Sequence, residues 1–152
     1  MANTQAICNS FKTDILQALH NFGTTVTRAG TGADTFKGAL YFATATLNKS
    51  TTAYSATGEV GNSGSYTAGG ITITNATAPT LSTDTAVWTP SASWTTGALF
   101  SAAAFDTLLV YNSTQSNKAV AVYTFGSQTI VSGTFTLTMP ANSAATALIQ
   151  LA

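Results

Sequence analysis

The chain has 152 residues, and only 7% of them are charged, against roughly 25% in typical soluble domains. Five basic and five acidic residues give a net charge of zero and are spread singly along the sequence. Binding to nucleic acid or to an anionic membrane surface depends on clustered Lys and Arg. The composition therefore argues against both classes of partner.

The length predicts a single domain over residues 1–152, because a chain of this size buries a sufficient core without disulfides or metals. The single cysteine, Cys8, permits no intramolecular disulfide and is expected to be a small buried side chain. The sequence starts without a basic region followed by an apolar run, so we expect no signal peptide. No apolar stretch approaches the roughly 18 residues of a membrane-spanning helix.

The near absence of charge has two interpretations. A freely diffusing protein usually keeps its net charge away from zero, because neutrality favours association. Either the chain is a β-protein whose surface carries hydroxyl groups in place of ionic ones, or neighbours in a permanent assembly cover part of its surface. The composition alone does not choose between them.

The N-terminal segment, residues 1–23, has the period of an amphipathic helix. Its apolar positions recur at steps of four, four, four and three residues: Ile7, Phe11, Ile15, Leu19 and Phe22. This spacing places them on one helical face, and Gly23 tolerates the left-handed conformation that ends many helices. The apolar face must cover either the domain's own sheet or a partner.

The rest of the chain, residues 35–152, has the pattern of a β-sandwich. Residues 36–42 form a predicted strand, and residues 44–69 are small, polar and glycine-bearing, which predicts a long, structured surface loop. Apolar or alternating runs predict further strands at 71–74, 85–89, 98–100, 107–111, 119–125, 133–139 and 147–151. Strands 107–111 and 119–125 are expected to form a hairpin. Together these patterns indicate a mainly β protein, an antiparallel β-sandwich or jelly-roll-like fold with one N-terminal amphipathic α-helix.

The sequence offers little for catalysis or metal binding. The single histidine, His20, is predicted on the polar side of the helix, either solvated or capping its C-terminal end. The nearest acid, Asp14, is six residues away, a spacing that does not place both side chains on one helical face. No serine lies in a Gly-x-Ser-x-Gly motif, and one Cys and one His cannot make a zinc site without scattered carboxylates. We therefore expect no catalytic, cofactor-binding or metal-binding residues, and no enzyme.

Contact with another molecule is expected at two residues of the helix and at three aromatic residues of predicted loops: Phe11, Ile15, Tyr54, Tyr66 and Trp94. An exposed aromatic ring in a loop often marks a contact. The partner of these rings is either a sister subunit or a host sugar. Tyrosines inside predicted strands, such as Tyr41 and Tyr111, are expected in the core or on a sheet face.

Several stretches, taken together and in order, resemble a family of small virion proteins of tailed bacteriophages. These stretches are residues 7–12 (ICNSFK), 20–22 (HNF), 34–37 (DTFK) with 40–41 (LY), 54–60, 64–70 (GSYTAGG), 88, 110–112 (VYN), 119–122 (AVAV) with 125–126 (FG), and 147–149 (ALI). One departure concerns residues 97–100 (GALF), where the family pattern is an Arg-Gly-Ala-Leu run leading directly into Tyr-Asn.

The resemblance implies a structural role in the particle. Members of this family resemble head decoration (cement) or head-fibre components, so it implies a virion protein that binds the major capsid protein and itself. By analogy we expect a homotrimer at capsid three-fold positions, with the N-terminal segment or the 44–69 loop gripping the coat lattice. The chain would be made in the host cytoplasm. The main alternative is a tail or neck fibre or adhesin module that contacts the host surface; a small hydrolase and a carbohydrate-binding module are further alternatives.

Overall fold

The structure, a computed structural model, describes residues 2–16, 18–23, 33–73, 78–90, 93–98 and 101–152. The fold is mainly β, and every strand pair is antiparallel. The elements in chain order are β1 (Ala6–Ile7), α1 (Asn9–Leu16), β2 (Phe36–Phe42), β3 (Ile71–Ile73), β4 (Thr80–Ser82), β5 (Thr85–Trp88), β6 (Ser93–Ala98), β7 (Ser101–Asn112), β8 (Lys118–Ile130), β9 (Thr134–Thr138) and β10 (Ile149–Leu151). The predicted fold class is confirmed.

The central sheet has five strands in the order β1-β8-β7-β2-β3. Its middle is the hairpin of β7 and β8, which confirms the predicted pairing of 107–111 with 119–125. Both strands extend beyond their predicted ends. Consecutive residues 108–112 and 119–122 are all buried, so both faces of this sheet are covered.

Two smaller sheets complete the architecture. The first has the order β10-β5-β4, and the second pairs β6 with β9. Trp88 of β5 lies against the central sheet, with its ring 5.4 Å from that of Phe36 and 4.7 Å from that of Phe22. Phe135 of β9 contacts Phe105 of β7 at 5.2 Å. These aromatic contacts join the three sheets in one apolar core.

The other face of the central sheet is covered by the long loop, residues 43–70. This loop runs across the sheet between β8 and β2. Near its start Ala53 pairs with Lys118 of β8, and further on Glu59 pairs with Tyr41 of β2. The region predicted as a long structured loop, residues 44–69, thus contacts the central sheet at β8, β7 and β2.

The predicted N-terminal helix is too long. Ile7 belongs to β1, α1 covers only Asn9–Leu16, and Phe22 lies in extended chain. The helix ends because Ala18 takes a left-handed conformation (φ 55°) and the Leu19 amide returns to the Asp14 carbonyl at 2.9 Å. The apolar period was real, because Phe11 and Phe22 are both buried, but a strand, a helix and a loop bury these positions together.

Strand predictions differ from the structure mainly for short elements. The sequence did not predict β1 or β4. Residues 93–98 form β6, where only 98–100 had been predicted, and residues 99–100 lie outside the described part, as does Thr74 of the predicted strand 71–74. No helix within the described ranges is long and apolar enough to cross a membrane.

Candidate functional site

A buried carboxylate holds the long loop together. Glu59 lies in the loop between two glycine-bearing turns, yet its side chain is almost inaccessible. It accepts hydrogen bonds from the Tyr54 hydroxyl and the Tyr66 hydroxyl, each at 2.6 Å, and from the Gly69 amide at 2.8 Å. Donors from three separate points of the loop therefore meet at one anion, which offsets the cost of burying its charge.

The same tyrosines attach the loop to the sheet. The Leu40 amide of β2 donates a hydrogen bond to the Tyr66 hydroxyl at 2.9 Å. The Tyr54 ring stacks on the Tyr111 ring of β7, with the ring centroids 4.8 Å apart. Burial, and then the hydrogen bond to Glu59, raise the pKa values of Tyr54 and Tyr66 above the usual value for tyrosine. Both hydroxyls therefore stay protonated at neutral pH and remain donors to Glu59.

This cluster changes the interpretation of two predicted interface residues. Tyr66 was expected as an exposed loop ring, but it is 1% exposed and cannot meet a partner in this conformation. Tyr54 is only half-buried. Tyr41 and Tyr111 are both buried, as expected for tyrosines inside strands. The signal available in the sequence was Glu59, a lone acid between two tyrosines in a loop that otherwise has no charge beyond Lys49.

A second buried cluster surrounds His20. The sequence interpretation placed His20 in solvent and apart from Asp14, and both parts are wrong. The histidine side chain has no exposed surface, and its Nε2 lies 3.7 Å from Asp14 Oδ2. The cause is the early end of α1: the chain turns back after Ala18 and brings His20 over the helix.

The hydrogen bonds of Asn112 fix the state of this histidine. The Asn112 side-chain oxygen accepts from the Thr114 and Gln115 amides, so its NH₂ group faces the other way. That group donates to Asp34 Oδ2 at 2.8 Å and lies 3.0 Å from His20 Nδ1. Nδ1 is therefore an acceptor, and His20 is the neutral tautomer with its proton on Nε2.

The His20 cluster ties the N-terminal segment to the turn between β7 and β8. Lys118 pairs with Asp14 at 3.1 Å, and the rings of Phe11, Phe22 and Phe36 surround the imidazole at 5.0, 6.1 and 6.3 Å. Burial lowers the pKa of His20, while Asp14 and Asp34 partly oppose this shift. A ring sealed in this way can hold the fold together, but it cannot contact a substrate in this conformation.

Other reactive groups are also enclosed. Cys8 is fully buried, as predicted, and burial raises the pKa of its thiol to about 11, so it is protonated at neutral pH. Among the residues that the structure describes, no group of three or more His, Cys, Asp or Glu side chains is arranged to hold a metal ion.

One surface feature among the described residues is an apolar groove between α1, β1 and β10. It has a volume of about 540 Å³, and its lining includes Ile7, Phe11, Ile15, Ile149 and Leu151. Two of the predicted interface residues, Phe11 and Ile15, therefore border it. Phe11 itself is 1% exposed and belongs mainly to the core, whereas Ile15 is half-buried. We call this feature the β10 groove.

The fifth predicted interface residue, Trp94, is placed only by its backbone. It lies in β6, not in a loop, and its Cα partner in β9 is Leu137. Its side chain lies outside the described part of the structure, so its role in contacts stays a prediction.

Comparison with known proteins finds no matching family model, no similar curated protein and no similar solved structure.

Proposed function

We propose that this chain is a non-enzymatic building block of a tailed-bacteriophage particle, a capsid decoration protein that stabilises the head by bridging coat subunits. The observation that supports the proposal is that four ionisable side chains are buried and bind groups of the same chain. Asp14, His20, Asp34 and Glu59 are all buried and bind other parts of the same chain. What the described surface offers a partner is mainly shape, hydroxyl groups and an apolar groove, with a few single charges such as Lys12, Lys49 and Asp84.

Such a surface acts through buried area. A standard interface buries about 1,600 Å² in total, and many copies at symmetric positions multiply its effect on a shell. The resemblance of the sequence to small phage virion proteins supports the phage head as the place where this occurs. The coat protein and further copies of the chain are then its partners.

The long loop supports the same proposal, because it is preorganised. Its backbone is bonded to β2 and β8, and its middle is fixed by Glu59. A loop that is already ordered loses little conformational entropy on binding, so more of the contact energy appears as affinity. Exposed residues such as Gly61, Asn62 and Thr67 form its outer surface, which is suited to a coat lattice.

The test is reconstitution on heads. Purified full-length protein is added to expanded capsids that lack it, and binding is followed by co-sedimentation while head stability is followed by thermal release of DNA. We expect saturable binding at many copies per head and release at a higher temperature. Thr67→Glu, on the loop surface, should weaken binding, whereas Ser127→Glu, on the exposed part of β8, serves as the control. Binding to tails or host cells but not to heads would contradict the proposal.

A further inference from the structure

The two outer strands of the three-stranded sheet are open edges. Among the described residues, β4 and β10 each pair only with β5. Neither strand contains a charged residue or a proline, the features that usually keep an edge strand from pairing with another chain. Both edges therefore present backbone donors and acceptors to a neighbouring molecule.

The side chains of the two edges continue an apolar row. Leu81 of β4 and Leu151 of β10 both pair with Ala86 of β5, so the three lie on one face of the sheet. It is the face that carries the buried Trp88, because residues 86 and 88 point the same way. Yet Leu81 is 72% and Leu151 49% exposed, so the core-facing side of the sheet emerges from the core at both edges.

The surroundings of the β10 edge are apolar and basic. The β10 groove lies beside this strand, and Lys12 and Lys49 are part of its lining. Both lysines are exposed, and neither has an ion pair among the described residues. The groove thus lacks both an apolar occupant and a counter-charge.

The β4 edge has the features that would complement the β10 groove, namely an acidic and an apolar side chain. Asp84 is exposed in the turn between β4 and β5, three residues after Leu81. The strand is held rigidly from its other face, where Asn142 donates to Thr80 and the Ala144 amide donates to Ser82. The edge therefore combines an exposed leucine, a carboxylate and open backbone on a fixed hairpin.

We propose that the β4–β5 hairpin of one copy docks against the β10 edge of a second copy, with Leu81 in the β10 groove and Asp84 beside Lys12 and Lys49. The contact joins two different surfaces, so it is heterologous, and a closing rotation makes a ring of copies. This contact extends the proposed function. The number of copies in the ring, three, is taken from that proposed function and not from the contact. The contact itself depends only on the two edges.

The experiment separates the two sides of the contact. Leu81→Asp disables the hairpin, and the double variant Lys12→Glu/Lys49→Glu disables the groove. We expect wild-type protein to be oligomeric by light scattering and each variant to need at least a roughly tenfold higher concentration to associate. Mixing the two variants should give 1:1 dimers that do not grow, because each copy then supplies one intact side.

Control variants distinguish a loss of docking from misfolding and from a general effect of added charge. Val131→Asp places the same acid at another exposed apolar residue (74% exposed) and should leave the oligomer unchanged. Adding Asp84→Lys to the groove variant should restore association, because the charges are exchanged. Circular dichroism and urea unfolding verify that each variant is folded.

Some results of this experiment would contradict the docking proposal, and others would contradict the proposed decoration function. A monomeric wild type, an unaffected pair of variants, a mixture that stays monomeric, or an equal loss in Val131→Asp would each overturn the docking proposal. A ring that forms but does not bind heads would leave the docking intact and contradict the decoration function. A wild-type protein that stays monomeric but binds heads in full number would contradict the docking and leave the decoration function intact.

Discussion

At the scale of single residues, a few buried carboxylates contribute to the stability of the fold, although the chain contains few charged residues. Glu59 and Asp34 are both buried; Glu59 accepts hydrogen bonds from its own loop, and Asp34 accepts from Asn112, which is 78 residues away. Removing such a carboxylate leaves buried donors without a partner, and each orphaned donor costs about 1–3 kcal/mol.

Glu59→Gln should therefore lower the free energy of unfolding by about 2–4 kcal/mol, because the amide presents NH₂ where a donor already points. Urea unfolding at neutral pH measures this. Thr57→Ala is a matched control, since Thr57 is exposed in the same loop, and it should change stability by less than about 0.5 kcal/mol. Equal stabilities of Glu59→Gln and the wild type would show that the Glu59 contacts contribute nothing.

His20 should make stability depend on pH. Its pKa is lowered from the usual 6.5 by burial, so below that pH the unfolded chain takes up a proton that the folded chain refuses. Stability is thus complete above pH 6.5 and falls as the pH drops toward the folded-state pKa, by up to about 1.4 kcal/mol per pH unit.

Urea unfolding between pH 7.5 and 5.5 checks this expectation. The control is His20→Asn, which keeps an acceptor near Nδ1 but does not titrate. Since His20 is the single histidine, the slope in this range should flatten in the variant. An identical slope in both proteins would assign the pH dependence to other groups.

These residue-level features were the least predictable part of the molecule. His20 contacts Asn112, which is 92 residues away, and the Tyr66 hydroxyl accepts from the Leu40 amide of β2, which is 26 residues away. Local period and composition contain no information about such distant partners. The sequence identified the correct residue types but gave His20 and Tyr66 the wrong environment.

At the scale of elements, the close approach of the long loop to β2 depends on glycine. Gly70 ends the loop with φ +72°, and a Cβ there would lie 2.1 Å from the Gly38 carbonyl oxygen. That contact is with backbone, so the strand itself would have to move. The loop layer and the central sheet can pack this closely only without a side chain at this position.

Gly70→Ala should destabilise the protein by about 2–5 kcal/mol, combining left-handed backbone strain with the steric clash. Gly61→Ala is its control, because nothing lies within 4 Å of a Cβ there and its φ is ordinary. Thermal unfolding of both variants gives the comparison. A Gly70→Ala protein as stable as Gly61→Ala would mean that the loop does not approach β2 as described.

Long elements were predictable and short ones were not. Strand β2 was predicted at its observed bounds and the β7–β8 hairpin at its core, because residues 39–42, 108–111 and 119–123 are runs of apolar and aromatic residues. Strands β1 and β4 have two and three residues, too few to establish a period, and they exist because neighbouring strands pair with them. The N-terminal period predicted burial correctly, but it could not show that a left-handed residue ends the helix early.

At the scale of the whole molecule, the same polar clusters account for the stability of the fold and support the proposed function. Internal polar clusters hold a loop, a terminal segment and a hairpin to the central sheet, and they use most of the buried charge. The described surface has few charges, and the small sheet has exposed leucines on its two outer strands. A body of this kind is suited to repeated contact with identical neighbours.

The central claim is that the chain acts by covering and joining coat subunits. Electron cryo-microscopy of the phage particle that contains it tests this most directly, because it gives both position and copy number. The account predicts density for the chain on the outer face of the head, in many symmetric copies, each touching coat subunits. Density confined to the tail or neck in a few copies, or a complete particle without the chain, would contradict it.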